Sequence, residues 1–145
     1  MEIVLPDWKQ NLTNWIDQNR YKRFSWGVHD CFVFTNVAWR KMTGKGYADE
    51  WYDRYYNERY RPLSRKEMRQ EFGYNELHEA LDKNLNRVPT LQATYSNLVG
   101  TSSWSKNNTT RVALGICLGD RSVFVGAREL QFIPTDEIQF AWGEK

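Results

Sequence analysis

Residues 21–44 read YKRFSWGVHDCFVFTNVAWRKMTG, and the fold turns on how this stretch is parsed. Its first half is a short basic loop closed by Trp26 and Gly27, and glycine opens a backbone angle that other residues avoid. Asp30 then stands where a helix begins, since a short carboxylate side chain satisfies the free N–H groups of a first turn. From Cys31 to Met42 the run CFVFTNVAWRKM is dense in apolar residues and stops at Thr43-Gly44. A helix this apolar must be covered on most sides, so it belongs at the centre of the molecule. Its β-branched and aromatic content leaves a strand as the minor alternative.

Working outward, residues 7–20 form the next clear element. Trp8, Leu12, Trp15 and Ile16 recur at helical spacing and define one apolar face. Pro6 and Asp7 suit a first turn. After the central helix, residues 47–62 (YADEWYDRYYNERYRP) mix aromatics with both charges and show no clean period. Ser64 with Glu67 makes a capping box that opens a helix to Glu71, closed by Gly73. A further short helix follows from Asn75. The last third changes character: TRVALGICLGD, RSVFVGA, LQFIP and IQFAW are short β-rich runs, and Gly119-Asp120 signals a hairpin. Helices first and an antiparallel sheet afterwards predict an α+β fold. No repeat or flexible linker divides the chain, so residues 1–145 are expected to make a single domain.

Composition narrows the function classes. Twenty basic against eighteen acidic residues give a net charge of +2, too balanced for nucleic-acid specificity. No apolar stretch is long enough to span a membrane. The start MEIVLPDWKQ lacks a basic region followed by an apolar run, so a secretion signal is not expected. Aromatic residues make up 15% of the chain, which leaves two readings open, an aromatic core or a partner surface. Trp51, Tyr52, Tyr55, Tyr56 and Tyr60 are the candidates for partner binding. Arginines alternating with these rings suggest a stacking platform for single strands, but the interspersed acids oppose a phosphate track.

One position invites chemistry. A cysteine in the first turn of a helix sees unpaired N–H groups and the positive end of the dipole, both of which favour thiolate. Such a nucleophile also needs a base in reach. His29, two residues before Cys31 on the turn, and His78, in a short helix, are the two histidines available. Asp30 suits a cap better than a relay. A plain buried cysteine is the competing reading for Cys31. Two cysteines, Cys31 and Cys117, make no disulfide framework, and a bond between them is not expected in a reducing cytosol. The spacing of His29, Cys31 and His78 asks for no metal, and no cofactor is expected.

PDWKQNL (6–12), residues 21–44, RYRPLSRKEMRQEFGYNELHEAL (59–81), ALGICLGDRSVFVGARELQFIP (113–134) and FAW (140–142) together resemble a phage-encoded family of uncharacterised NlpC-like proteins. Its members lie in tail and virion-assembly gene clusters. The resemblance implies an NlpC-type, papain-like fold with a Cys-headed central helix on a carboxy-terminal antiparallel sheet. Cys31 then occupies the nucleophile position. The family's catalytic His, in the pattern His-Val-Gly-Ile-Tyr, falls on Ala113, which cannot take a proton. The Gly-Asp ahead of that strand is replaced by the polar stretch around SWSKNNTTR (103–111). The resemblance therefore implies a virion part from the tail or neck, made in the host cytoplasm, contacting other virion proteins and occurring as a ring of several copies. Its alternative is a cysteine peptidase or amidase that cuts peptidoglycan as phage DNA passes into the cell.

Overall fold

The computed structural model describes residues 5–25, 27–52, 54–55, 63–74, 77–102 and 112–144. Trp26, Tyr56, Tyr60 and the stretch 103–111 lie outside them. Four helices precede or flank the sheet: α1 (Trp8–Asn19), α2 (Cys31–Thr43), α3 (Arg65–Phe72) and α4 (Leu77–Asn84). Six strands follow: β1 (Asn86–Arg87), β2 (Leu98–Thr101), β3 (Ala113–Cys117), β4 (Arg121–Val125), β5 (Leu130–Pro134) and β6 (Phe140–Gly143). They form one antiparallel sheet in the order β1-β6-β2-β3-β4-β5. The α+β reading holds. Among the described residues no helix is long and apolar enough to cross a membrane.

Local chemistry fixes the helix ends. Asp30 caps α2 by accepting the Val33 N–H, and Gly44 ends it with φ of 96°. A non-glycine residue with that angle would be strained. Phe32, Phe34, Thr35, Asn36, Ala38, Trp39 and Met42 make a broad buried face on α2, while Arg40 and Lys41 stay exposed on the remaining side. That settles the helix-or-strand alternative, because a two-sided covering by α1 and the sheet suits a helix of this composition. In α1, Leu12 and Ile16 are buried and Trp8 and Trp15 pack on the same core. The Ser64–Glu67 capping box of α3 forms in both directions, and Gly73 ends that helix with φ of 81°. The Gly119 turn, with φ of 99°, joins β3 to β4 as the sequence predicts.

β2 has no counterpart among the predicted strands, although it lies inside the sheet between β6 and β3. It is four residues long and buried throughout. Ser96, at φ 87°, makes the turn that opens it, and Asn97 Oδ1 accepts the Thr94 N–H at 2.8 Å.

The sheet separates two buried clusters. The helix side gathers Leu98, Val112, Leu114, Ile116, Val123, Leu130 and Trp142 with the faces of α1, α2 and α4. The far side gathers Val99, Ala113, Cys117, Phe124, Ile138 and Ala141 under loop residues such as Val88 and Ala93. Alternation along each strand produces this division.

Candidate active site

The turn before α2 is built around Asp30, which is fully buried. Its Oδ1 accepts the Val33 N–H at 2.8 Å, and its Oδ2 accepts the Gly27 N–H at 2.7 Å. The Tyr55 hydroxyl donates to the same Oδ2 from 25 residues away. Gly27 takes φ of 75°, which presents its N–H to the carboxylate. Burial raises the Asp30 carboxyl above its ordinary range, and the hydrogen bonds from Tyr55, Val33 and Gly27 only partly restore it. Among the described residues no cation offsets that dehydration. Asp30 is a cap and a tie to residue 55, as its place at the helix start implies.

Cys31 follows in the first turn. As a residue it keeps some exposed surface, while dehydration dominates at its thiol. Burial and then the charge of Asp30 push the thiol up from an ordinary 9 to about 12. The N–H groups of Leu114, Cys31 and Phe32 act on the sulfur in the opposite sense and lose. A shift of that size lowers the thiolate fraction at neutral pH about a thousandfold.

Beside the thiol lies a small apolar cavity of about 30 Å³, walled by Phe32, Trp51, Tyr55, Met68 and Phe72. One water molecule would occupy about that space, and an apolar lining keeps such voids dry. A peptide substrate needs a groove many times larger.

The candidate bases do not meet the sulfur. His29 is buried, its Nε2 has no hydrogen-bond partner, and its ring stands edge-on to Phe34 at 6.2 Å. Burial, and then Lys22, lower its titration below the ordinary value. His78 stacks on Phe140 at 4.9 Å and has a buried, unpartnered Nδ1, so it packs α4 against β6. Neighbouring Asp82 accepts the Trp142 Nε1–H at 2.8 Å and both nitrogens of the Arg87 fork, which ties the same two elements.

The faces of β3 are distinct. Ala113 belongs to the cluster on the far face of the sheet, whereas Leu114 is the β3 residue whose backbone meets Cys31. A histidine at 113 would therefore face away from the helix. Cys117 does share the face of Ala113, but that face is the one away from α2, so Cys31 and Cys117 stand on opposite sides of the sheet. Both are free thiols.

The described part of the aromatic run after α2 is core. Trp51 and Tyr55 are buried, and with Tyr52 they enclose the Phe32 ring at centroid distances of 5.8, 4.9 and 5.2 Å. Tyr52 is half-buried, and its hydroxyl accepts from Asn36 Nδ2 at 3.1 Å. A run without periodicity buries its rings here because a 3-10 turn (Asp49–Trp51) wraps it around the start of α2. Tyr56 and Tyr60 lie outside the described residues.

A second polar knot secures that wrap. Asn36 donates to Asp49 at 2.7 Å and accepts the Ala48 N–H at 2.9 Å, while Arg40 reaches Asp49 at 2.6 Å. Thr35 meets the Tyr47 hydroxyl at 2.8 Å within the core. Among the described residues no three His, Cys, Asp or Glu side chains converge as a metal ion requires. A family model described as a domain of unknown function (DUF6950) matches residues 4–143 of the chain. No curated protein matches it.

Proposed function

We propose, for a chain that belongs to the DUF6950 family, a non-catalytic role as a structural or assembly part of a phage particle, in the tail or neck, on an NlpC-type layout whose cysteine site has closed. The observation that carries the non-catalytic half is the thiol of Cys31. It faces a buried carboxylate and a dry cavity, with no imidazole bonded to it, where a nucleophile needs a base and room for a carbonyl.

The NlpC-type layout is supported by a Cys-headed central helix packed on an antiparallel sheet, with a strand backbone N–H turned to the sulfur. The Gly-Asp expected ahead of the strand has a counterpart at Ser96-Asn97, one strand earlier than SWSKNNTTR. There Ser96 adopts the angle that glycine favours. The virion assignment rests on the sequence resemblance, and ring assembly with it.

Two measurements test this reading. Alkylation of the folded protein by iodoacetamide across pH 6–10 should leave Cys31 unlabelled under conditions that label it in urea, and purified protein should release no soluble fragments from peptidoglycan. Rapid labelling near pH 6, with lysis abolished by Cys31→Ser, would establish the peptidase alternative instead. Quantitative mass spectrometry of purified particles should find the chain in fixed multiple copies per virion. Its complete absence from mature particles would remove the structural role.

A further inference from the structure

The surface beside the site carries a second feature that the cysteine chemistry leaves unused. Three of the six large hydrophobic side chains exposed among the described residues fall within eight positions: Tyr21 at 77%, Val28 at 65% and Phe24 at 36%. Single exposed hydrophobics need no explanation, but a local group of them marks an interaction site.

The backbone beneath them is fixed. The Phe24 N–H donates to the Ala127 carbonyl at 3.1 Å, and the Leu130 N–H donates to the Arg20 carbonyl at 2.9 Å. Ser25 and His29 pair across a tight turn, with the Val28 N–H bonded to the Ser25 carbonyl at 3.1 Å. The loop is thus tied to the connection between β4 and β5 before any partner arrives, which lowers the ordering cost of binding.

The charge around this patch is positive. Lys22, Arg23 and Arg128 form no ion pair among the described residues, in contrast to Arg40, Arg54 and Arg87 on other faces. Arg20 lies over the Phe132 ring at 5.1 Å and touches Asp17 at 3.9 Å. Four cations thus stand against two carboxylates, Asp17 and Glu129. Lys22 is close enough to lower the titration of His29, which puts its charge over the same turn.

We infer that residues 20–25, 27 and 28 and the adjoining 127–130 turn form a docking surface for an acidic protein segment with an aromatic or aliphatic anchor. The anchor covers Tyr21, Phe24 and Val28, and its flanking carboxylates meet Lys22, Arg23 and Arg128. An exposed valine and two interspersed carboxylates favour such a segment over a polyphosphate chain, which needs an unbroken cationic track. The inference depends on the surface alone and holds whether or not the protein is a virion part.

The test is selection from a random displayed peptide library on the full chain, then anisotropy with resynthesised peptides and amide-shift mapping. Enriched peptides should pair Asp or Glu with an apolar residue, and should shift amides within 20–28 and 127–130. Lys22→Glu/Arg23→Glu should weaken them about tenfold or more. Tyr21→Ser/Val28→Ser should do so about fivefold or more. Both variants should keep the wild-type melting temperature, because each alters exposed side chains. Enrichment without acidic bias, no enrichment at all, or undiminished binding by both variants would overturn the inference. So would tighter binding of oligothymidine or of phosphatidylglycerol vesicles than of any selected peptide.

Discussion

Asp30 and Asp49 each accept hydrogen bonds from three groups beside helix α2, yet their carboxyls are displaced in opposite directions. Asp30 takes the Gly27 and Val33 N–H groups and the Tyr55 hydroxyl, and burial still lifts it above its ordinary range. At Asp49 burial also opposes the charge, but Asn36, Arg40 and Gly46 together overcome it and hold the carboxyl below that range. The difference is a cation and water. Arg40 lies 2.6 Å from Asp49 and the pair is about half exposed, whereas neutral donors in a dry interior leave Asp30 under-compensated. The same contrast holds for space. The hollow near Asp49, bounded by Lys45, Glu50 and Glu144, measures about 330 Å³, against the narrow void beside Asp30 and Cys31. The end of α2 that bears the cysteine is built to be closed.

The largest effect expected from breaking this comparison is at Asp30. Asp30→Ala removes a helix cap worth about 1 kcal/mol and takes away the acceptor that the Gly27 N–H and the Tyr55 hydroxyl share, for a total near 3 kcal/mol. Asp49→Ala should cost only about 1 kcal/mol, since Asp49 and Arg40 are both about half exposed and Asn36 keeps Tyr52. Urea denaturation of both variants measures the ratio, and equal losses would mean that the buried tie to Tyr55 contributes nothing. Gly46→Ala falls between them, at about 2 kcal/mol. A Cβ there runs into the Asp49 and Asn36 side chains and forces the knot apart. A crystal structure of that variant with the Asn36–Asp49 bond intact would contradict the assignment.

Why the sequence reveals one of these sites more fully than the other is a matter of range. The α2 cap, its Gly44 stop, the Ser64–Glu67 box and the Gly119 hairpin depend on neighbours within a few residues, and each is legible in the chain. The bond from Tyr55 to Asp30 and the approach of the Leu114 N–H to Cys31 join distant segments, and no local pattern encodes them. Ala113 and Cys117 share one face of β3, but which face meets the helices depends on packing. β2 escapes because four residues buried on both sides show no alternation, and its opening turn uses Ser96 where glycine would have been the signal. The aromatic run could be core or surface by composition, and the enclosure of Phe32 decides for core at Trp51 and Tyr55.

Titration sharpens the contrast with smaller effects. The folded Asp30 holds its proton more tightly than the unfolded chain does, so its contribution is full below the ordinary carboxylate range and is lost as pH rises through the raised folded value. Asp49 behaves oppositely: its contribution is present above the ordinary value of 3.8 and disappears as pH falls through the lowered one. His29, buried with its titration depressed, stabilises the fold above its ordinary 6.5 and loses that contribution as pH falls through its lower folded value. By urea denaturation, the stability of the wild type should therefore decline relative to that of His29→Leu as pH falls from 7.5 to 5. Parallel curves for the two proteins would show that the imidazole is no more dehydrated in the fold than in the unfolded chain.

The smallest expected effect is at Arg40. Because both partners are about half exposed, Arg40→Ala should cost less than about 1 kcal/mol, and salt should shrink the cost further. Its value lies in what happens to Asp49, followed through the carboxyl carbon resonance during acid titration. If the cation makes the difference between the two aspartates, the Asp49 midpoint should move up toward the ordinary carboxylate range when Arg40 is removed. Asn36 and Gly46 would then hold it no better than Gly27, Val33 and Tyr55 hold Asp30. A midpoint that stays low would assign the whole contrast to water at the open end of α2.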